Sequence, residues 1–296
     1  MGVKMNRLFS LKKDYGLLRT YDFRRNSVKF LYLLIYLVGL IVVFVAVFPI
    51  IWTILSGFKD LREFVNEPRI LPKSYDINKF IETWKLLNFS KFYLNSFIVV
   101  IGSIVFAVVG NGLLGYALSK IKPKGYKLIY YLLLWSLMIP TTTSIVPLFI
   151  NIVRLGLQGS FIPLWLSAGA NAFFVILYKN FFDSIPQSII EAARIDGGGE
   201  WSIFFKVVFP LSYPINTVIT IFTINSAWSD FLLPYLLLNN TGKETVMVRL
   251  FQFRTSVATD VDIIRAVTFS IIPPILLFAF FQRYMMEGMT RGGIKG

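Results

Sequence analysis

Long uncharged runs dominate the chain, and short stretches between them hold nearly all of the charge. Uncharged runs cover 30–58, 92–119, 128–153, 155–178 and 266–282, and the run 207–242 holds a single charge, Asp230. A helix needs about 20 consecutive apolar residues to cross a bilayer. Five of the six runs exceed that length, and the last lies at the lower edge of the usual range. The pattern predicts an all-α, polytopic membrane protein with six transmembrane helices, centred on 30–55, 93–118, 128–151, 161–178, 214–238 and 265–282. The first run is longer than the apolar region of a signal peptide, which is about 7–15 residues. Phe48-Pro49-Ile50 also lacks a small-x-small cleavage pattern, so this run reads as a retained helix.

Composition agrees with the pattern. Of 296 residues, 55% are hydrophobic and 16% are charged, whereas soluble domains are about 25% charged. Cys and His both number 0. Disulfides, thiolate or imidazole metal sites, His-ligated haem and every Ser-His or Cys-His triad are thereby excluded. No metal and no cofactor are expected. The net charge of +14 would suggest nucleic acid in a soluble protein. Here it separates by segment. The N-terminal tail, the 119–127 turn, the 179–206 loop and the C-terminal tail together hold 18 of the 30 Lys and Arg, with a net charge of +11. The opposite side carries +4, and Asp230 supplies the remaining −1. The positive-inside rule then places both termini in the cytoplasm. The domain plan is a basic cytoplasmic tail over 1–29, a transmembrane domain over 30–282 with a cytoplasmic loop at 180–212, and a cytoplasmic tail over 283–296. The basic tail (Lys4, Arg7, Lys12, Lys13, Arg19, Arg24, Arg25 and Lys29) reads as a topology signal that meets anionic membrane lipid rather than nucleic acid.

Gly110-Asn111-Gly112-Leu113-Leu114-Gly115 spells a dinucleotide-binding fingerprint. That fingerprint requires a preceding strand and a helix N-terminus, and here it lies inside an apolar span. Close helix approach is the better reading. No Walker phosphate loop occurs in the sequence. Pro49, Pro140, Pro147, Pro163, Pro234, Pro273 and Pro274 lie in or beside the spans. Each removes a backbone donor and tends to kink a helix, which suits either a moving bundle or plain packing irregularity. Asp230 fits two settings, a cavity inside the bundle or the watered outer interface.

The 180–212 loop has a helical pattern of its own. Ser184-Ile185-Pro186-Gln187 resembles a capped helix start. Ile189, Ile190 and Ala193 then share one face, and Gly197-Gly198-Gly199 ends the helix. A second helix follows with Trp201, Phe204, Phe205 and Val208 on one face, ended by Pro210.

Glu191-Ala192-Ala193-Arg194-Ile195-Asp196-Gly197, nine further residues, and then Val207-Val208-Phe209-Pro210 resemble the EAA loop of ABC importer permeases. The spacing matches throughout. Val207 replaces the usual Ile, Phe209 the usual Leu, and Gly198 stands where Ala is usual. Ser56-Gly57-Phe58-Lys59, Asn95-Ser96, Tyr116-Ala117-Leu118, Arg154-Leu155-Gly156-Leu157, Trp228-Ser229-Asp230-Phe231 and Pro273-Pro274 also recur in like positions. The tail from Gln282-Arg283-Tyr284 to Gly296 is similar to the maltose-type carbohydrate importers, with departures at Asp230, Met289 and Gly292.

The resemblance implies a type I ABC importer permease fold in a bacterial-type cytoplasmic membrane. It implies a transport subunit rather than an enzyme, which forms half of a pathway for carbohydrate, an oligosaccharide above all. The expected partners are a second, usually different permease subunit, two ATP-binding subunits and an extracytoplasmic sugar-binding protein. The coupling residues it implies are Glu191, Ala192, Ala193, Arg194, Asp196, Gly197, Trp201 and Phe204, which would dock a short helix into the ATPase. Tyr178, Asn225, Trp228 and Asp230 are expected either to line the substrate pathway or to form helix–helix contacts. The outer segments 59–91 and 239–265 would meet the binding protein, and the C-terminal tail would reach the ATPase. A self-contained secondary transporter or channel would need ion-coupling groups in the spans, where only Asp230 qualifies, and it leaves the EAA loop unexplained. A membrane enzyme lacks Cys, His and any cluster of buried carboxylates.

Overall fold

The computed structural model describes residues 26–292 except 68, 256 and 257, and the side chains of residues 282–292 lie outside the description, as do those of 26 and 27. The basic tail before residue 26 and the last four residues therefore lie outside the described residues. All regular structure among the described residues is helical. The chain forms two compact units, one ending at Leu55 and one beginning at Ser56.

The first unit is essentially one helix. α1 runs over Asn26–Gly57, its last two residues already in the second unit. Its residues from 28 to 55 are strongly apolar. Its Pro49 lies inside a continuous helix.

The second unit starts with two short helices, α2 (Leu61–Asn66) and α3 (Asn78–Leu87). α4 (Phe89–Tyr116) continues into a π-helical turn over Ala117–Ile121, which makes an apolar rod of 33 residues. There follow α5 (Tyr126–Ser136), α6 (Thr141–Arg154), α7 (Ile162–Gly169) and α8 (Ala172–Asp183). The loop region holds α9 (Gln187–Ile195), α10 (Glu200–Ile203), a second π-helical turn over Phe204–Val208, and α11 (Phe209–Leu211). α12 (Tyr213–Ser229), α13 (Leu232–Leu238), α14 (Val246–Arg254) and α15 (Asp260–Gly292) complete the chain.

Among the described residues, three helices are long and apolar enough to cross a bilayer, and the number rises to six if each bent pair counts as one span. The run expected as one helix over 128–151 is instead α5 and α6, bent by 110°. Pro140 is extended there (ψ 128°), and its carbonyl accepts both the backbone N–H and the hydroxyl of Thr143. The run expected over 161–178 breaks by 42° between α7 and α8. The run expected over 214–238 stops at Ser229, and Asp230 and Phe231 separate α12 from α13. Pro210 does not end the loop's second helix. The chain passes through it to Leu211 and turns by 81° at Ser212. Two prolines start helices, where their missing N–H has no intrahelical partner to lose. Pro163 and Pro214 each lie in the first two helical positions.

α4 is the centre of the second unit and packs against α7, α8, α12 and α14. Its approach to α7 and α8 leaves no room for side chains. A Cβ built on Gly110 would lie 2.8 Å from the carbonyl oxygen of Gly169, and one on Gly115 would lie 2.6 Å from Cβ of Tyr178. One on Gly102 would lie 2.2 Å from the Trp165 ring nitrogen. Gly110 and Gly115 of the apparent dinucleotide fingerprint are therefore packing positions. Asn111, fully buried among them, fills the α7–α8 break. Its amide donates to the carbonyls of Ala107 (2.8 Å) and Ala168 (2.9 Å), and its oxygen accepts the N–H of Asn171 at 2.8 Å.

Gly115→Ala is expected to destabilise the folded protein by about 1–3 kcal/mol through overpacking. Gly39→Ala, with nothing within 4 Å, is expected to leave it unchanged or slightly more stable. Thermal unfolding of the two purified variants in detergent makes the comparison. Equal melting temperatures would contradict the packing account.

Candidate functional site

α9 presents two faces. Ile190 is fully buried and Ala193 half-buried, beside Ile203, Phe204 and Val208 in one core with Tyr116, Tyr178 and Phe182. Glu191, Ala192, Arg194, Ile195 and Asp196 are exposed, Ile195 at 87%. Ile189, expected on the inner face, is exposed as well. The expected Ser184 cap does not form. The Ser184 hydroxyl closes α8 by donating to the Phe181 carbonyl at 2.7 Å, and Pro186 holds the N-cap position of α9. The helix ends as expected at Gly197 (φ +82°), a left-handed position that suits glycine. Gly198 N–H then reaches back to the Ala193 carbonyl at 2.9 Å. A Cβ at Gly198 would lie 2.7 Å from that same oxygen, so glycine permits this tight close.

The second helix of the loop divides its aromatic residues. Phe204 and Val208 are buried, whereas Trp201 and Phe205 stack on the outside with ring centroids 6.2 Å apart. The expectation of a single face fails: Trp201 and Phe205 lie four residues apart on the outer side, and Phe204 and Val208 four residues apart on the inner side. Glu200 is a residue that the motif reading passed over. It pairs with Arg194 and accepts from the Tyr116 hydroxyl. An acid six residues beyond an arginine across a glycine turn was the available signal.

The expected pathway residues separate into two groups. Tyr178 is 1% exposed, and its hydroxyl donates to Asn216 Oδ1 at 2.7 Å. Trp228 is buried, and its ring N–H donates to the Ser270 carbonyl at 3.1 Å. That carbonyl lies four residues before Pro274, which has no N–H to donate to it. The Phe269 carbonyl, four before Pro273, accepts the Tyr93 hydroxyl at 2.6 Å. The Tyr93 and Trp228 rings meet edge-on at 5.4 Å. Tyr178 and Trp228 are thus helix–helix contacts. Asn225 is exposed, on one face of α12 with Phe222, Ser226 and Ser229. Asp230 is half-buried just after α12, with its carboxylate directed at the N–H groups of Leu232 and Leu233 that open α13.

At the other end of α4, the loops are tightly held. Arg265, 8% exposed, donates to the carbonyls of Gly57 (2.7 Å) and Lys59 (2.9 Å) and pairs with Asp262 at 2.8 Å. Buried Lys59 donates to the Arg69 carbonyl. Asn95 donates to the Glu244 carbonyl at 3.0 Å, and the Ser96 hydroxyl accepts the Val246 N–H at 2.9 Å. Lys79 donates to Asp60 across an ion pair of 2.9 Å and holds that carboxyl below the usual range. Asp60 is exposed, so the pair adds little stability.

Residues 111–291 match the family of binding-protein-dependent transport system inner membrane components. The chain belongs to this family. The inner membrane component is 30% identical to the diacetylchitobiose uptake system permease protein NgcG of Streptomyces coelicolor over 85% of each chain. It is also 30% identical to the arabinooligosaccharides transport system permease protein AraQ of Halalkalibacterium halodurans, over 86% of this chain and 93% of that one. Its fold is similar to a solved chain of a bacterial ABC transporter involved in the import of the acidic polysaccharide alginate. That match has a TM-score of 0.78 and 23% identity, and covers 88% of this chain and 98% of the other. These relatives are permease subunits, so this inner membrane component is a membrane-spanning ABC importer permease, a transport component rather than an enzyme. An ATPase and a binding protein are its partners by family.

Trp228→Phe is expected to cost about 1–3 kcal/mol by leaving the Ser270 carbonyl without a donor. Asn225→Ala is expected to stay within about 0.5 kcal/mol of wild type. Denaturation midpoints of the two variants decide between contact and surface. A larger loss for Asn225→Ala would reverse the assignment.

Proposed function

We propose that this permease subunit carries carbohydrate, above all oligosaccharide, inward as half of a translocation pathway and receives the work of ATP through α9. The carbohydrate class is supported by the relatives, whose names include diacetylchitobiose and arabinooligosaccharides. The observation that carries the coupling role is the outer face of the loop. Ile195, Trp201 and Phe205 are large apolar groups left uncovered by the chain beside the charged Glu191, Arg194 and Asp196. An apolar patch bordered by charge suits adhesion with fixed orientation to a protein partner.

In this reading two ATP-binding subunits each take one such helix, one from this chain and one from a second, different permease subunit. Both termini lie in the cytoplasm, on the side of the 180–212 loop, as the excess of Lys and Arg there supports. The 59–91 and 239–265 segments then face outward toward the binding protein. The uncovered face of α12 with Asn225, Ser226 and Ser229 is the better pathway candidate. Polar groups on a spanning helix favour a watered interface over lipid. Asp230, beyond the end of that helix, sits toward its outer mouth. Closure of the ATPases on ATP would push α9 and rock the bundle between inward- and outward-open states, a two-state shift biased by ATP.

Glu191→Ala and Ile195→Asp change exposed groups and leave the fold intact. Each is expected to lower ATP-driven sugar uptake by the reconstituted complex about tenfold or more. Normal uptake in both would remove the coupling role of α9. Ion-driven uptake by this chain alone would favour a secondary transporter.

A further inference from the structure

Both ends of the loop that carries α9 are fastened to one short segment, the end of α4 and its π-helical turn. On the entering side, the Ser119 hydroxyl donates to Asp183 Oδ1 at 2.6 Å, and Lys120 Nζ donates to the Ile185 carbonyl at 2.6 Å. On the leaving side, the Tyr116 hydroxyl donates to Glu200 Oε2 at 2.7 Å. The other oxygen of Glu200 accepts from Arg194, from Nε at 2.9 Å and from Nη2 at 2.8 Å. One carboxylate therefore joins three elements: α4 through Tyr116, α9 through Arg194, and α10 through its own backbone. Tyr116 is 2% exposed, and its ring lies 5.4 Å from that of Phe204, the first residue of the second π turn. The residue just before the first π turn thus meets the first residue of the second. Such turns are rare and cluster at functional places, because the extra residue lets a helix change direction without losing its hydrogen bonds.

We propose that Tyr116 and Glu200 form the joint through which displacement of α9 reaches α4, with Glu200 as the positioning residue that sets the orientation of α9. The proposal rests on the importer reading above. Its physical content is that α9 cannot tilt against α4 without breaking a charge-assisted hydrogen bond, which is about twice as strong as a neutral one. Ser119 and Lys120 restrain the entry to the loop in the same way. A push on the exposed face of α9 is then delivered to the inner end of the central helix instead of being lost in the glycine turn at 197–199.

Tyr116→Phe removes the donor with almost no change of volume, and Glu200→Met removes both acceptors while keeping the length of the side chain. In the reconstituted complex, each is expected to lower sugar imported per ATP hydrolysed about three- to tenfold, with ATP hydrolysis retained. Tyr116→Phe is expected to add nothing in the Glu200→Met background, because the bond that it deletes is already absent there. Glu200→Gln, which keeps an acceptor for Tyr116, is expected to retain more of the ratio than Glu200→Met. Amide exchange across 187–203 in the same complex without ATP is expected to quicken in Tyr116→Phe and Glu200→Met. Wild-type ratios in both single variants, or losses that add in the double variant, would overturn the joint. A wild-type complex that shows no ATP-driven uptake would overturn the importer reading instead, and the exchange measurement would still report on the joint.

Discussion

Backbone amides and carbonyls that a helix leaves unpaired inside a bilayer must find partners within the protein, because no water is at hand. Much of this structure follows from that constraint. The chain breaks or weakens its helices at several places in apolar surroundings, and at two of them named side chains supply the missing bonds. Asn111 pairs with the Ala168 carbonyl and the Asn171 N–H where α7 passes into α8. Tyr93 and Trp228 donate to the Phe269 and Ser270 carbonyls that Pro273 and Pro274 leave open in α15. Asn111 and Tyr93 belong to α4 and Trp228 to α12, so the repairs are also the contacts that hold the bundle together. α15 remains one helix across its double proline.

The same arrangement makes α4 the reference helix for the rest of the second unit. Gly102, Gly110 and Gly115 bring α7 and α8 so near that a methyl group has no place. The position of α4 is thereby set over much of its length, and its π-helical end presents Tyr116, Ser119 and Lys120 to the 180–212 loop at a defined angle. At its other end, Asn95 and Ser96 hold the backbone just before α14. Segments that carried the family resemblance have physical tasks here. Asn95-Ser96 anchors a loop, and Tyr116-Ala117-Leu118 begins the joint. Gly156 turns the chain after α6 in a left-handed conformation (φ +69°).

Charge follows a similar logic. Most ion pairs among the described residues lie outside the apolar spans and are partly exposed, where each adds little. Arg265 is different, since it is buried and satisfies two carbonyls near the end of α1 as well as Asp262. Its role is to tie backbone to backbone. Glu200 does comparable work at the opposite end of α4, and its partial exposure leaves it free to respond when a partner presses on α9.

The sequence by itself determined the class of this protein. Uncharged runs of about 20 residues have no stable home except a bilayer, and the absence of Cys and His removes most catalytic chemistry. The EAA spacing and the helix end at Gly197 were also legible, because a short helix closed by glycine is a local matter that neighbouring residues decide. Breaks at Asn171 and Asp230 were not legible. An uncharged run looks the same whether it is straight or bent, and a break is tolerable only if a distant side chain such as Asn111 meets the freed backbone groups. The positions of Tyr178 and Trp228 in the core, and of Trp201 and Phe205 outside it, likewise depended on tertiary packing. The link from Tyr116 to Glu200 spans 84 residues, and only the folded chain brings its two ends together.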